Sequence, residues 1–210
     1  MNPGTGARRR VLVLVAHPAL HRSQVNGRLM DAARATDGVS VIDLYAVYPR
    51  FDINVDLEQQ RLRDHDVIIF QHPMFWYSGP ALLKEWQDLV LEHGFAYGSG
   101  GTALHGKVFL CALGAGGAQA AYCESGSHHL TVRELLQPIE QMAALCGMHY
   151  LPPLTLFSAR EASKDARLEQ HCREWTDWLG ALRDDRIDPC RPAPWGVLNG
   201  RLPELLRGDD

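Results

Sequence analysis

Val11-Leu12-Val13-Leu14-Val15-Ala16, with His17-Pro18 directly behind it, decides the fold. The run has no polar face, so it reads as a strand buried on both sides, as at the centre of a parallel sheet. A polar loop leads into a helix from about Ser23 to Ala35, ended by Gly38. Val39 to Leu44 reads as the second strand. Tyr45 to Val55 reads as an irregular loop and Asp56 to Arg63 as a short helix.

The third strand is Asp66 to Gln71, followed by His72-Pro73-Met74-Phe75-Trp76-Tyr77-Ser78-Gly79-Pro80. Ser78 suits an N-cap and Pro80 the first turn of a helix running to about Glu92. Past a glycine-rich loop lies a fourth strand, Lys107 to Leu113. One long helix is predicted over Thr131 to Cys146. The fifth strand, His149 to Phe157, is made irregular or an edge by Pro152-Pro153, and a last helix spans about Ala162 to Leu182. Five strands alternating with helices predict a three-layer α/β sandwich. Its parallel sheet has the flavodoxin-like order 2-1-3-4-5, with helices on both faces. The domain is expected over 10–183, after a flexible N-terminus (1–9) and before a Pro-rich tail (184–210). The tail's Trp195, Leu198, Leu202, Leu205 and Leu206 would either wrap a partner subunit or stay disordered.

Composition narrows the function. Of the 210 residues, 46% are hydrophobic and 22% charged, as in ordinary globular chains. A net charge of -4 with interspersed signs argues against a nucleic-acid partner. No apolar run approaches the roughly 18 residues of a membrane helix, and no signal peptide is evident, so a cytoplasmic location is expected. Cys111, Cys123, Cys146, Cys172 and Cys190 are irregularly spaced and form no CxxC pair. They read as reduced thiols, and no metal site is expected.

In this sheet order, ligands bind beyond the carboxyl ends of the strands, between the first and third. Three loops meet there. The first, His17 to Asn26, ends at a helix start, where free N–H groups and the dipole favour an anion. Ser23 either caps that helix or binds a phosphate, with His17 and Asn26 as further donors. Neither GxGxxG nor GxxxxGK[ST] is present. The second loop, Met74 to Tyr77, is either a core plug, a subunit contact or the wall for a flat aromatic ligand. The third, Gly114-Ala115-Gly116-Gly117, lets backbone approach a ligand closely, and Tyr122 and His128 follow it.

His17-Pro18, Ser23-Gln24-Val25-Asn26 and Gln71-His72-Pro73-Met74-Phe75-Trp76-Tyr77-Ser78 together resemble the flavodoxin-like NAD(P)H:quinone oxidoreductases. The similarity is strongest to the KefF-type ancillary proteins of glutathione-regulated potassium efflux. Leu83-Lys84-Glu85-Trp86, Ala96 to Lys107 and Leu151-Pro152-Pro153 extend it, over about Val11 to Leu182. The resemblance implies FMN, with FAD as the alternative, and NADPH or NADH as electron donor. It implies a homodimer and two-electron quinone reduction by a ping-pong route. His17, Ser23, Gln24, Val25 and Asn26 match the phosphate segment. Met74, Phe75, Trp76 and Tyr77 match the ribityl and flavin segment. Gly114, Ala115, Gly116 and Gly117 match a Thr-Thr-Gly-Gly turn against the ring, with both threonines replaced here. Tyr122 and His128 match a Tyr/His pair that stabilises reduced flavin, and are the candidate catalytic residues.

A different class is also implied: a flavin-binding regulatory subunit of a glutathione-gated potassium/proton antiporter, peripheral at the inner face of the membrane. A one-electron flavodoxin carrier fits poorly with the modest charge and the His-Pro-Met-x-Trp-Tyr loop. A Cys-x5-Arg phosphatase fails because Gly117 stands where Arg is needed after Cys111. A receiver domain fails because the first strand ends in Ala16-His17 instead of acids. Arg160, Glu161 and Lys164 read as solvated surface.

Overall fold

A computed structural model describes residues 8–208; the expectation of a flexible 1–9 segment falls largely on 1–7, outside them. Strand β1 (Val11–Val15) lies between β2 (Val39–Asp43) and β3 (Val67–Pro73), and β4 (Val108–Gly114) follows β3, all parallel. Side-chain parity divides the core, because alternate strand residues face opposite layers. Val11, Val13 and Val15 pack with α1 (Gln24–Arg34) and α8 (Ala166–Arg183). Leu12, Leu14 and Ala16 pack with α3 (Val55–Asp64) and α4 (Ala81–Val90). Trp175 of α8 anchors the first layer by donating its indole N–H to Leu29 O at 3.1 Å. In the second layer, fully buried Glu58 accepts from Tyr48 OH at 2.6 Å and Trp86 Nε1 at 2.9 Å, and pairs with Arg61. Burial and this carboxylate push the Tyr48 phenol up to about 12.

The sheet order is 2-1-3-4-5, as expected, but the fifth position holds two short strands. β5 (His149–Tyr150) pairs with Val108 and Phe109, and β6 (Leu154–Leu156) pairs with Ala112 to Gly114. Leu151 and two prolines between them break the ladder, because proline has no N–H to give. The predicted helix over 131–146 is also two pieces, α5 (Val132–Leu135) and α6 (Gln137–Leu145), joined at Leu136 with Pro138 in the new first turn. The N-cap before α4 is Pro80, and Ser78 belongs to the preceding turn. Residues 44–47 form a helical turn, α2 (Leu44–Val47), where a loop was expected. Asp43 caps it by accepting from the Tyr45 and Ala46 amides. A similar turn, α7 (Ala159–Ala162), precedes α8.

Over 184–208 the tail packs on its own chain. Ile187, Leu198 and Leu205, the last in α9 (Leu202–Leu205), are buried in the first core layer. Asn199 imitates a partner strand. Its side chain accepts from Thr155 N and donates to Thr155 O, both at 3.0 Å, on β6. Leu198 N donates to Pro153 O at 2.9 Å. Arg133 pairs with Glu140 and donates to Ala193 O at 2.7 Å. The sheet's outer edge is thereby covered.

Candidate functional site

The carboxyl ends of β1, β3 and β4 open into a cleft of about 940 Å³. Its first wall is the β1–α1 loop. Ser23 caps α1, its hydroxyl oxygen accepting from Asn26 N at 3.2 Å and Asn26 Nδ2 at 3.3 Å. The hydroxyl proton remains to be donated. The Gln24 and Val25 amides, in the first turn, have no acceptor within the helix. His17 Nδ1 accepts from Ala19 N at 3.0 Å, which leaves Nε2–H as the ring's donor. Burial lowers the His17 pKa, partly opposed by Asp43, and keeps the ring neutral. Asn26 is only 3% exposed, and the oxygen of its amide has no partner.

The second wall is Pro73, Met74 and Phe75. Met74 N donates to Gly114 O at 2.8 Å, extending the β3–β4 ladder to the cleft floor. Phe75 and Ser78 then exchange N–H···O bonds at 2.9 and 3.0 Å around a two-residue turn. Trp76 and Tyr77 both have positive φ, 49° and 65°, which makes this a type I′ turn built without glycine or asparagine. Its tip carries Trp76 out of the cleft, 93% exposed. Tyr77 turns instead toward His128, its hydroxyl 3.3 Å from Nδ1.

The third wall is the glycine loop. Gly114 and Gly116 line the cleft, and a Cβ at Gly116 would meet nothing within 4 Å, so ring-sized groups can come close to the backbone. Ala115 points into the core. Gly117 is needed for another reason: a Cβ there would lie 3.1 Å from His128 Nε2 and 3.1 Å from Tyr122 Cε2. Tyr122 and His128 lie above it as a tilted pair, centroids 4.4 Å apart and planes at 32°. The structure therefore brings together Tyr77, Gly117, Tyr122 and His128.

A fourth wall went unread in the sequence. Ala159, Arg160, Glu161, Ser163 and Lys164 border the cleft; Arg160, Glu161 and Lys164 are exposed, as expected of solvated surface, and form its rim. They come near because β6 lies beside β4 and the chain then turns back at Ser158, whose φ is 49°. Ser158 N donates to Gly117 O at 2.8 Å and Ala159 N to Ala115 O at 3.0 Å. Two cations four residues apart just after a strand end were the available signal. The donor set suits a phosphate: free first-turn amides, Ser23, His17, the second N–H of Asn26 Nδ2 and the rim cations. Apolar Met74 and Phe75 opposite bare glycine backbone suit a flat ring. FMN fits both ends.

The sequence model of the flavodoxin-like fold matches residues 9–179. The chain belongs to that family. Among flavodoxin-like relatives, the glutathione-regulated potassium-efflux ancillary protein KefG of Serratia proteamaculans is 45% identical over 170 residues, 81% of this chain and 92% of its own. A solved structure of general stress protein 14 from Treponema denticola, in complex with FMN, has a TM-score of 0.78 at 38% identity, covering 82% of this chain and 99% of its own. An NADPH-quinone reductase from P. pentosaceus has a TM-score of 0.71 at 31% identity, covering 80% of this chain and 96% of its own.

Proposed function

We propose that this protein is an FMN-dependent NAD(P)H:quinone oxidoreductase working as a homodimer by a ping-pong route. The observation that carries the reading is the meeting of Tyr77, Tyr122 and His128 above Gly117, next to Gly116 of a cleft whose other end carries Ser23 and the first-turn amides, donors that suit a phosphate. FMN would supply the two-electron chemistry, reduced by NAD(P)H and reoxidised by a quinone. His17, Ser23, Asn26 and the Gln24 and Val25 amides would hold its phosphate, and Met74, Phe75, Gly114 and Gly116 its ring. Two-electron quinone reduction consumes a proton as well as a hydride. Tyr122 and His128, beside the glycine loop, would carry that proton, and the Tyr77 hydroxyl would orient the imidazole. FAD is the cofactor alternative.

Absorbance of the purified protein tests the class. Oxidised-flavin bands that bleach with NADPH and return with a quinone support the reading, and a chain that cannot be loaded with FMN sinks it. Tyr122→Phe with His128→Asn should keep its FMN and lose about 100-fold in quinone turnover. Unchanged turnover would remove both residues from the mechanism.

The KefG relative supports a second reading, in which the chain is a flavin-binding subunit of a potassium antiporter. Among the described residues no helix is long and apolar enough to cross a membrane, so that contact would be peripheral. Potassium flux through the antiporter in vesicles, with and without this protein, separates the readings: stimulation that survives loss of turnover favours the subunit.

A further inference from the structure

The apolar run of β3 ends in one fully buried amide, Gln71, that none of the four walls uses. Burying a primary amide in a central strand is unfavourable unless its bonds matter. The residue bonds to both ends of the β1–α1 loop, with its main chain at the entry and its side chain at the exit. At the entry, Ala16 N donates to the Gln71 main-chain O at 2.9 Å. At the exit, Gln71 Nε2 donates to Asn26 O at 2.9 Å, inside the first turn of α1. That turn presents the amides, Ser23 and Asn26 to the cleft. The pairing of Val15 with Gln71 places this residue directly beneath the loop it spans. Gln71 Oε1 and Asn26 Oδ1 are both buried without a protein donor, so the Nε2 bond is the amide's one attachment.

We infer that Gln71 is a positioning residue whose side chain sets the phosphate cradle by holding the exit end of its loop, the entry end being held by the backbone of β3. The inference rests on the FMN reading of the cleft. It makes a distinction that general packing does not: Gln71 acts on the phosphate end of the ligand and leaves the ring end alone. FMN and riboflavin differ in that phosphate.

The test is titration of the full-length protein, freed of flavin, with each of the two, together with thermal melting. Gln71→Met removes the donor at similar length and volume. It should weaken FMN binding roughly 10-fold, leave riboflavin binding within about twofold, and leave the melting temperature nearly unchanged. Gln71→Leu also removes the donor, in a smaller apolar side chain, and should show the same split even if Gln71→Met folds poorly. Unaltered FMN affinity in both variants overturns the inference, as does an equal loss for FMN and riboflavin, which is the mark of a structural role. A wild-type protein that binds neither flavin overturns the FMN reading itself, a different result from either of these.

Discussion

Lowering the pH from 7 to 4 should remove about 6 kcal/mol of folding stability through two histidines. His72 is wholly buried at the end of β3, and burial holds its pKa down at about 4, only partly offset by its hydrogen bond to Pro73 O. His171 in α8 is also held at about 4 by burial. Both have an Nε2 without a partner, so neither site is ready for a second proton. In an unfolded chain each imidazole titrates near 6.5. Between about 6.5 and 4 the unfolded state therefore binds protons that the native state refuses. Stability rises with pH in that window and is lost as pH falls, at about 3 kcal/mol per histidine. Urea midpoints at pH 7, 5.5 and 4 read the effect, and replacing both histidines with Asn should flatten it. A wild-type midpoint that does not move between pH 7 and 4 would show that these imidazoles accept protons in place. His72 is the cleaner probe, because Glu174 lies 3.9 Å from His171 Nδ1 and could receive its charge.

Removing residues 185–210 should destabilise the domain by about 3–6 kcal/mol, although this segment lies beyond the part matched by the family. Ile187, Leu198 and Leu205 are core residues by burial, each contributing about 1.5–3 kcal/mol. The conformational freedom returned to the tail offsets part of that sum. The loss also strips Asn199 from Thr155 and the Ala193 carbonyl from Arg133. For a domain of this size the melting temperature should fall by about 10 °C or more. The bared β6 edge should also make the truncated chain prone to aggregate. A truncated protein that melts like the full chain would mean that the tail rests on the surface without contributing to the core.

Both predictions involve features that the sequence hides. The central strands were legible because Val11 to Ala16 and Val67 to Phe70 are unbroken apolar runs that fit only a doubly covered sheet. The three loops of the site followed from the strand order alone, and Ser23 was recognisable as a cap. What could not be read depended on contacts across the chain. The divided edge strand follows from Pro152-Pro153, but its two separate pairings with β4 do not. Arg160 and Lys164 are surface, and their place on the rim of the cleft emerges only once β6 is set beside β4. In the tail, Asn199 is one polar residue among several, and only its position opposite Thr155 gives it a strand's role. Trp76 read as a wall of the flavin pocket because aromatic residues in loops usually cover something. The I′ geometry that points it outward is a backbone property with no signature in Trp-Tyr.

The bonds from Ser158 and Ala159 to the glycine loop have a consequence for how the molecule fails. They run in series: the tail steadies β6, β6 carries Ser158, and Ser158 holds Gly117 under the Tyr122–His128 pair. Nothing in that chain of custody can let go alone. Heating that frees the tail should therefore also loosen β6 and, through Ser158, the seat of the Tyr122–His128 pair, so that fraying at one end of the polypeptide is felt at the cleft.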